Sequence, residues 1–256
     1  MKRIINILVV PCLLLMLNAC DLFKIDNYDG PNAEFFGSIK DEATGELVGT
    51  DIQNGSSIRA YELGWGAFDA QTWVIQQTGE FRNNMVFAAR YNLELNENGG
   101  NFYPISMKDF EIRKGENQHD FSVTPFIRFQ DVSITYNAAE KKVVATFKLQ
   151  AGKPEVRLSA IRLYAHSDMY VGEQVKFTAI TNASAMPPNF SPAKVIDDSE
   201  TYTLSIDMQA YANVFPYNNA KYKYYFRVGA LASVSGVGTV RHNYSSTVAI
   251  LSSNLK

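Results

Sequence analysis

Apolar and polar side chains alternate with a period of two along most of this chain. Phe35, Gly37 and Ile39 fall on one side of the first such run, and Phe36, Ser38 and Lys40 on the other. Successive side chains of a strand point to opposite faces, so the pattern predicts a half-buried β-strand. Asp41-Glu42-Ala43-Thr44-Gly45-Glu46 follows as a turn, with Gly45 free to take a positive φ. Ile58-Arg59-Ala60-Tyr61 and Trp73-Val74-Ile75 predict short strands. Tyr91, Leu93 and Leu95 alternate with Asn92, Glu94 and Asn96 as a longer one. Asn96 to Asn101 reads as a Gly/Asn loop. Phe110-Glu111-Ile112 and Phe121-Ser122-Val123 close this first block.

Thr124-Pro125 reads as a joint, because proline removes a donor from any sheet ladder. Long alternating runs follow. Val132, Ile134 and Tyr136 share a face, as do Val143, Ala145, Phe147 and Leu149. Ile161, Leu163 and Ala165 continue the series, then Tyr202, Leu204, Ile206 and Met208. Tyr222, Tyr224, Phe226, Val228 and Ala230 oppose Lys221, Lys223, Tyr225 and Arg227, and Val248 and Ile250 lie on the last strand. Six or seven strands in about 130 residues, with no helical period, predict an immunoglobulin-like sandwich. Thr181 to Pro192, which holds Pro187, Pro188 and Pro192, predicts a long surface loop.

One run breaks the alternation. Ile4 to Leu17 is apolar except for Asn6 and Pro11, and it follows the basic pair Lys2-Arg3. A helix of that length rises about 21 Å against roughly 30 Å of bilayer hydrocarbon. The run therefore predicts the apolar part of a signal peptide over residues 1–19. Leu17-Asn18-Ala19-Cys20 resembles the bacterial lipobox. That resemblance implies cleavage before Cys20, acylation of its thiol and new amino group, and membrane attachment through several acyl chains. The other reading is an ordinary signal peptide whose cysteine is incidental. Residues 20–32, polar from Asp26 to Asn32, read as the lipidated cysteine and a tether. Asp21 follows Cys20, but Leu22, Phe23, Lys24 and Ile25 dilute its charge, so surface-exposed and periplasm-facing placements both stand.

Cys12 and Cys20 are the only cysteines. With Cys12 in the cleaved segment, the mature chain has no internal disulfide and no cysteine zinc site. Its stability must come from buried cores, for which it is long enough. Formal net charge is −2, and removing Lys2 and Arg3 leaves 22 basic side chains against 26 acidic ones. No basic stripe exists, so nucleic acid is not expected as a partner.

The inventory for catalysis is thin. His119, His166 and His242 show no paired-ligand spacing. No G-x-S-x-G elbow occurs, and Ser235-Gly236-Val237-Gly238 reads as a hairpin turn. Asp197-Asp198, and Glu46 with Asp51, are the nearest approach to the paired carboxylates of a glycosidase. All four lie in turn-like sequence, where acids are ordinary solvated residues. Asn96-Glu97-Asn98-Gly99-Gly100-Asn101 lacks the spaced carboxylates of a calcium loop. No cofactor, metal or catalytic residue is expected.

Aromatics are the compositional signal: 16 Phe, 14 Tyr and 2 Trp. A pyranose can lay its apolar C–H face on an aromatic ring while its hydroxyls bond to polar side chains, with no catalytic group involved. Trp65, in Gly64-Trp65-Gly66-Ala67-Phe68, is the leading candidate, with Phe68 beside it. The ring could equally fold back over the sandwich end. Trp73 shares a face with Ile75 and is expected in the core. Tyr211, Phe215 and Tyr217 crowd the loop before the Tyr222 strand, where they cap the sandwich or line a groove.

The first block resembles carboxypeptidase-regulatory-like, transthyretin-like domains. The resemblance rests on Gly37-Ser38-Ile39-Lys40-Asp41, Thr44-Gly45-Glu46, Gly79-Glu80-Phe81 and Tyr91-Asn92-Leu93. The whole chain resembles a family of Bacteroidota lipoproteins of unassigned function, encoded beside starch-utilisation-system-type outer-membrane transporters. The matching stretches include Asp26-Asn27-Tyr28-Asp29-Gly30-Pro31-Asn32-Ala33, Trp73-Val74 and Asp120-Phe121-Ser122-Val123-Thr124-Pro125. Further along they are Ile161-Arg162-Leu163-Tyr164, Tyr224-Tyr225-Phe226-Arg227-Val228-Gly229-Ala230 and Asn243-Tyr244-Ser245. The resemblance implies an outer-membrane lipoprotein in a glycan-uptake locus, with an oligosaccharide and a transporter complex as partners.

These readings converge on an all-β protein of two tandem sandwiches, transthyretin-like over residues 33–124 and immunoglobulin-like over 125–256. The expected function is non-catalytic carbohydrate or transporter-partner binding at the outer membrane. A structural or adhesive subunit that exchanges strands is the alternative, and a glycoside hydrolase a weaker one.

Overall fold

The computed structural model describes residues 30–64 and 69–255. The segment expected to carry the signal and Cys20, and the candidates Trp65 and Phe68, lie outside the described residues.

The first domain holds β1 (Ala33–Asp41), β2 (Ser57–Glu62), β3 (Gln71–Val74), β4 (Glu80–Val86), β5 (Ala89–Leu95), β6 (Gly99–Gly100), β7 (Ile105–Ile112), β8 (Gly115–Gln118) and β9 (Phe121–Val123). Strand β1 is flanked by β4, antiparallel, and on its other side by β8 and then β9, both parallel. The facing sheet has the order β3-β2-β5-β7. Phe35, Ile39, Ile58, Trp73, Phe81, Tyr91, Leu93, Leu95 and Phe121 fill the space between them. The Phe35 ring sits 5.2–6.3 Å from those of Trp73, Phe81, Phe110 and Phe121, so the alternation of β1 is explained by one aromatic centre. Trp73 belongs to this core, as its shared face with Ile75 predicted. Gly45 takes φ 74° in the turn after β1.

The second domain holds β10 (Ile127–Asn137), β11 (Lys142–Ala151), β12 (Arg157–His166), β13 (Lys194–Val195), β14 (Thr201–Asp207), β15 (Lys223–Ser233), β16 (Thr239–Val240), β17 (His242–Tyr244) and β18 (Val248–Leu251). One sheet is β10-β11-β14; the other is β13-β12-β15, with β17 and β18 both pairing along β15. A 3-10 turn at Ser252–Asn254 is the only helical element among the described residues. Val143, Ala145, Phe147 and Leu149 of β11 face Tyr224, Phe226, Val228 and Ala230 of β15 across the core, as their alternation predicted.

Three expectations change. The Thr181–Pro192 segment is not only a surface loop, because Ala185 is buried in the core and Met186 and Phe190 pack against it. The Gly/Asn loop contains β6, which pairs with β16 of the second domain. A Cβ on Gly99 would fall 2.2 Å from the Thr239 carbonyl oxygen, which is why glycine stands there. Asp51 is not a solvated turn residue: it is buried and accepts a hydrogen bond from the Tyr244 hydroxyl.

That last contact belongs to a polar seam between the domains. Arg227 projects from the outer face of β15 and is 3% exposed. Its guanidinium donates to the carbonyls of Thr50 at 3.0 Å, Gln77 at 3.2 Å and Ser245 at 2.9 Å, and lies 4.2 Å from the centre of the Tyr244 ring. Asn243 Nδ2 donates to Asn101 O at 2.8 Å, and Asn243 Oδ1 accepts Ile127 N–H at 3.1 Å. At the joint itself, Arg128 donates to Asp41 Oδ1 at 2.8 Å, both side chains being nearly buried. Buried polar groups persist only when partnered, and here Thr50, Gln77, Asn101 and Asp41 supply partners from the first domain.

Candidate functional site

The chemistry-bearing residues fall into three places. Only one of them leaves aromatic surface uncovered.

The first is the seam. Tyr164 Oη donates to Glu173 Oε2 and Lys176 Nζ to Glu173 Oε1, each at 2.6 Å, while Glu173 N–H donates to Tyr244 Oη at 3.1 Å. Burial pushes the Tyr164 and Tyr244 hydroxyls far up and the Asp51 carboxyl up. Burial lowers the Arg227 guanidinium to about 10 and His242 to about 4. Burial alone would raise Glu173, but hydrogen bonds from Lys176 and Tyr164 outweigh it and hold the carboxyl below its usual range. Perturbed groups of this kind often mark active sites. Here Asp51 meets Tyr244, and Arg227 meets Thr50 and Gln77, across the domain boundary, while the bonds of Glu173 brace that contact from within the second domain, so the cluster is a joint.

The second is a shallow groove of about 530 Å³ beside the β11–β12 turn, lined by Gln150, Lys153, Val195, Asp197 and Asp198 among others. It contains the adjacent carboxylates named from the sequence. Asp197 Oδ1 accepts both the backbone N–H of Ser199, at 2.9 Å, and its hydroxyl, at 2.7 Å. Those bonds lower the Asp197 pKa. A glycosidase acid needs a raised one. The lining includes no aromatic ring. Glu46 is exposed while Asp51 is committed to Tyr244, so that pair does not form either.

The third is the end of the second sandwich where β12 finishes and β15 begins. Tyr217 and Tyr222 stack there with ring centres 4.4 Å apart and planes inclined by 13°. They are 50% and 49% exposed. The loop that presents them is pinned. Tyr217 N–H donates to the Tyr224 hydroxyl at 3.1 Å, Asn219 N–H to Ser252 Oγ at 3.0 Å, and Ser252 Oγ back to Asn219 O at 2.7 Å. Asn219 Oδ1 accepts the N–H groups of Lys221, at 2.9 Å, and Tyr222, at 3.2 Å. Below them Phe215 packs edge-on to Tyr224 and Phe177, closing the core. The exposed polar residues Asn218, Lys221 and Lys223 flank the pair in sequence.

The structure thus separates residues the sequence grouped. Tyr211 is a cap: its hydroxyl accepts the backbone N–H groups of Thr181, at 3.4 Å, and Asn182, at 3.1 Å. Phe215 is a core plug, and Tyr217 alone of the three remains open. Tyr222, expected on the inner face of its strand, lies one residue before β15 begins and turns outward onto Tyr217. The turn-forming stretch Pro216-Tyr217-Asn218-Asn219 was the available signal that regular pairing starts later. The histidines pack against rings: His119 against Phe110 and Phe121, His166 against Phe177, and His242 against Tyr164 and Tyr244. No group of three or more His, Cys, Asp or Glu residues capable of holding a metal occurs among the described residues.

None of the curated proteins compared matches the chain. Solved structures do. A protein from Bacteroides uniformis, described as a "putative carbohydrate binding protein", is 50% identical, with a TM-score of 0.80 over 87% of this chain and 100% of that one. DUF3823 family proteins from Parabacteroides merdae and Bacteroides uniformis, each 18% identical, share the fold. Their TM-scores are 0.66 and 0.64, over 87% and 86% of this chain and 100% and 99% of theirs. Residues 33–124 match the family described as "Protein of unknown function (DUF3823) N-terminal domain", and residues 127–249 match "Domain of unknown function (DUF3823_C)". Two sandwiches joined by a polar seam, each matched in sequence by one half of that family, make this chain a member of the DUF3823 family.

Proposed function

We propose that the protein is a non-catalytic carbohydrate-binding lipoprotein, held at the outer membrane through acylated Cys20, which takes up oligosaccharide on the Tyr217–Tyr222 platform in the service of a transporter complex. The observation that carries this reading is the stacked tyrosine pair. Two large rings stay half in water although a core they could have joined lies beside them. Their loop is already fixed, so binding costs little ordering entropy. A sugar ring laid on an outer tyrosine face buries apolar area, while its hydroxyls reach polar neighbours. The description given to the 50% identical relative points to the same ligand class. The lipid anchor and the transporter rest on the lipobox resemblance at Leu17-Asn18-Ala19-Cys20 and the wider family resemblance of the sequence.

Calorimetric titration with a panel of plant and host oligosaccharides tests it. Binding is expected to at least one of them. Tyr217→Ala and Tyr222→Ala should each weaken it roughly tenfold, the effect of about 1.4 kcal/mol, with the fold unchanged. Binding that survives both substitutions would refute the assignment of the site.

The strand-exchanging alternative meets closed edges at β7, β10, β13 and β14. Strand β10 is broken by a bulge at Asp131, with φ 50°, whose carboxylate pairs with Lys148 at 2.9 Å. Strand β7 carries Asp109 at φ 59°, ion-paired with Arg90. Strand β13 has two residues, and Ser205 N–H on β14 is taken by Ser184 O at 2.9 Å. Bulges, charges and short strands are how sheets avoid pairing with other chains.

A further inference from the structure

The geometry points to a second surface: the tip of the first sandwich where the chain enters, which rests on the lipid bilayer. This inference rests on the lipid-anchor reading above and adds to it the face of the domain that meets the membrane.

Strand β1 fixes the direction. Its last residue, Asp41, pairs with Val123 and binds Arg128, so that end lies at the domain joint. Its first residue, Ala33, lies about 26 Å away along the strand, at about 3.3 Å per residue. The second domain is at one end of the first sandwich and the chain's entry point at the other. Apolar side chains are left uncovered around that entry. Ala33 pairs with Val86, Asn32 N–H donates to Val86 O at 3.1 Å, and Asn32 Oδ1 accepts Ala88 N–H at 2.8 Å. Met85 and Phe87 flank that contact and are 66% and 36% exposed. Leu63, 38% exposed, joins the same end through its N–H, which donates to Arg90 O at 2.8 Å.

These side chains are unlike the other exposed apolar residues because of what precedes them. Twelve residues, 21–32, separate Cys20 from Ala33. A segment of that length reaches at most about 43 Å when fully extended. With Cys20 acylated, the surface nearest this tip is therefore the bilayer, at a range where shallow insertion of Met85 and Phe87 into the headgroup region is within reach. The rim carries both signs: Arg90 is paired with Asp109 and Arg113 with Glu111. It therefore favours no anionic lipid, and the occupant is a zwitterionic bilayer surface met through apolar contact. In this pose the second domain points away from the membrane.

The test uses the acylated full-length protein carrying Met85→Cys, labelled with an environment-sensitive dye and placed in phosphatidylcholine vesicles with or without nitroxide-bearing lipid. Val195→Cys, on exposed β13 of the second domain, is the reference position. Nitroxide lipid is expected to quench the dye at position 85 several-fold and leave position 195 unchanged. Vesicle-bound, acylated protein in which both positions stay unquenched would overturn the docking and leave the anchor standing. Mass spectrometry showing Cys20 without acyl chains, with no flotation on vesicles, would overturn both. A dye shift that appears without vesicles and grows with protein concentration would assign the tip to a second copy of the chain instead.

Discussion

His242 shows how one side chain reports on the state of the seam. It packs on Tyr164 and Tyr244, and burial lowers its pKa from 6.5 to about 4. The folded form therefore keeps it neutral where the unfolded chain would protonate it. Between pH 6.5 and 4 the unfolded state binds more protons, so this residue makes stability fall as pH falls, by at most about 1.4 kcal/mol per pH unit. Asp51, whose pKa burial raises, acts oppositely from its ordinary value of 3.8 upward. Asp41 and Glu173 are held low by Arg128, Lys176 and Tyr164 against the burial that would raise them, and they withdraw stability only as pH falls below their ordinary values, 3.8 for Asp41 and 4.5 for Glu173. Comparing wild type with His242→Gln by urea denaturation from pH 7 to 4.5 should give a flatter profile for the variant. Parallel profiles would show that the ring is not kept neutral by the fold.

At the scale of elements, the short pair β6–β16 shows a tertiary demand overriding local composition. Asn96 to Asn101 has the residues of a surface loop, and most of it does turn: Asn96 has φ 58° and Gly99 φ 122°. Its backbone is nevertheless a ladder partner for the second domain, and Arg241 N–H donates to Gly100 O at 2.8 Å. Gly99→Ala adds a methyl group 2.2 Å from Thr239 O in a conformation alanine resists. The expected cost is about 2 kcal/mol or more, read from the chemical denaturation midpoint. The same substitution at Gly30, where nothing lies within 4 Å of the added carbon, should be silent. Strands β4 and β8 tell a related story. Glu80–Val86 and Gly115–Gln118 carry weak alternation, and they are strands because β1 offers both edges.

For the molecule as a whole, the seam predicts that two domains unfold as one. Arg227→Ala removes the donor to four buried carbonyls and the positive charge that favours the Asp51 carboxylate, a loss of about 3–5 kcal/mol. Calorimetry of wild type should show one cooperative transition, and that of Arg227→Ala a lower and broader one that resolves toward two. A single sharp transition in both would place the coupling elsewhere, at Arg128–Asp41 or at β6–β16.

The alternating runs by themselves determined the all-β class, the core faces of β1, β5, β11, β14 and most of β15, and the cap-or-groove alternatives for the Tyr211–Tyr217 loop. Those are local properties: a half-buried strand must present apolar side chains every second residue whatever surrounds it. Only the tertiary structure decided that Tyr217 is open, Tyr211 capped and Tyr222 turned outward, because each outcome depends on partners up to about thirty positions away, such as Asn182 and Ser252. Only it revealed the seam, since Arg227 on an outer face looks like any solvated charge until a second domain covers it. Alternation records which side of a strand is dry; it carries no information about what later packs on the other side.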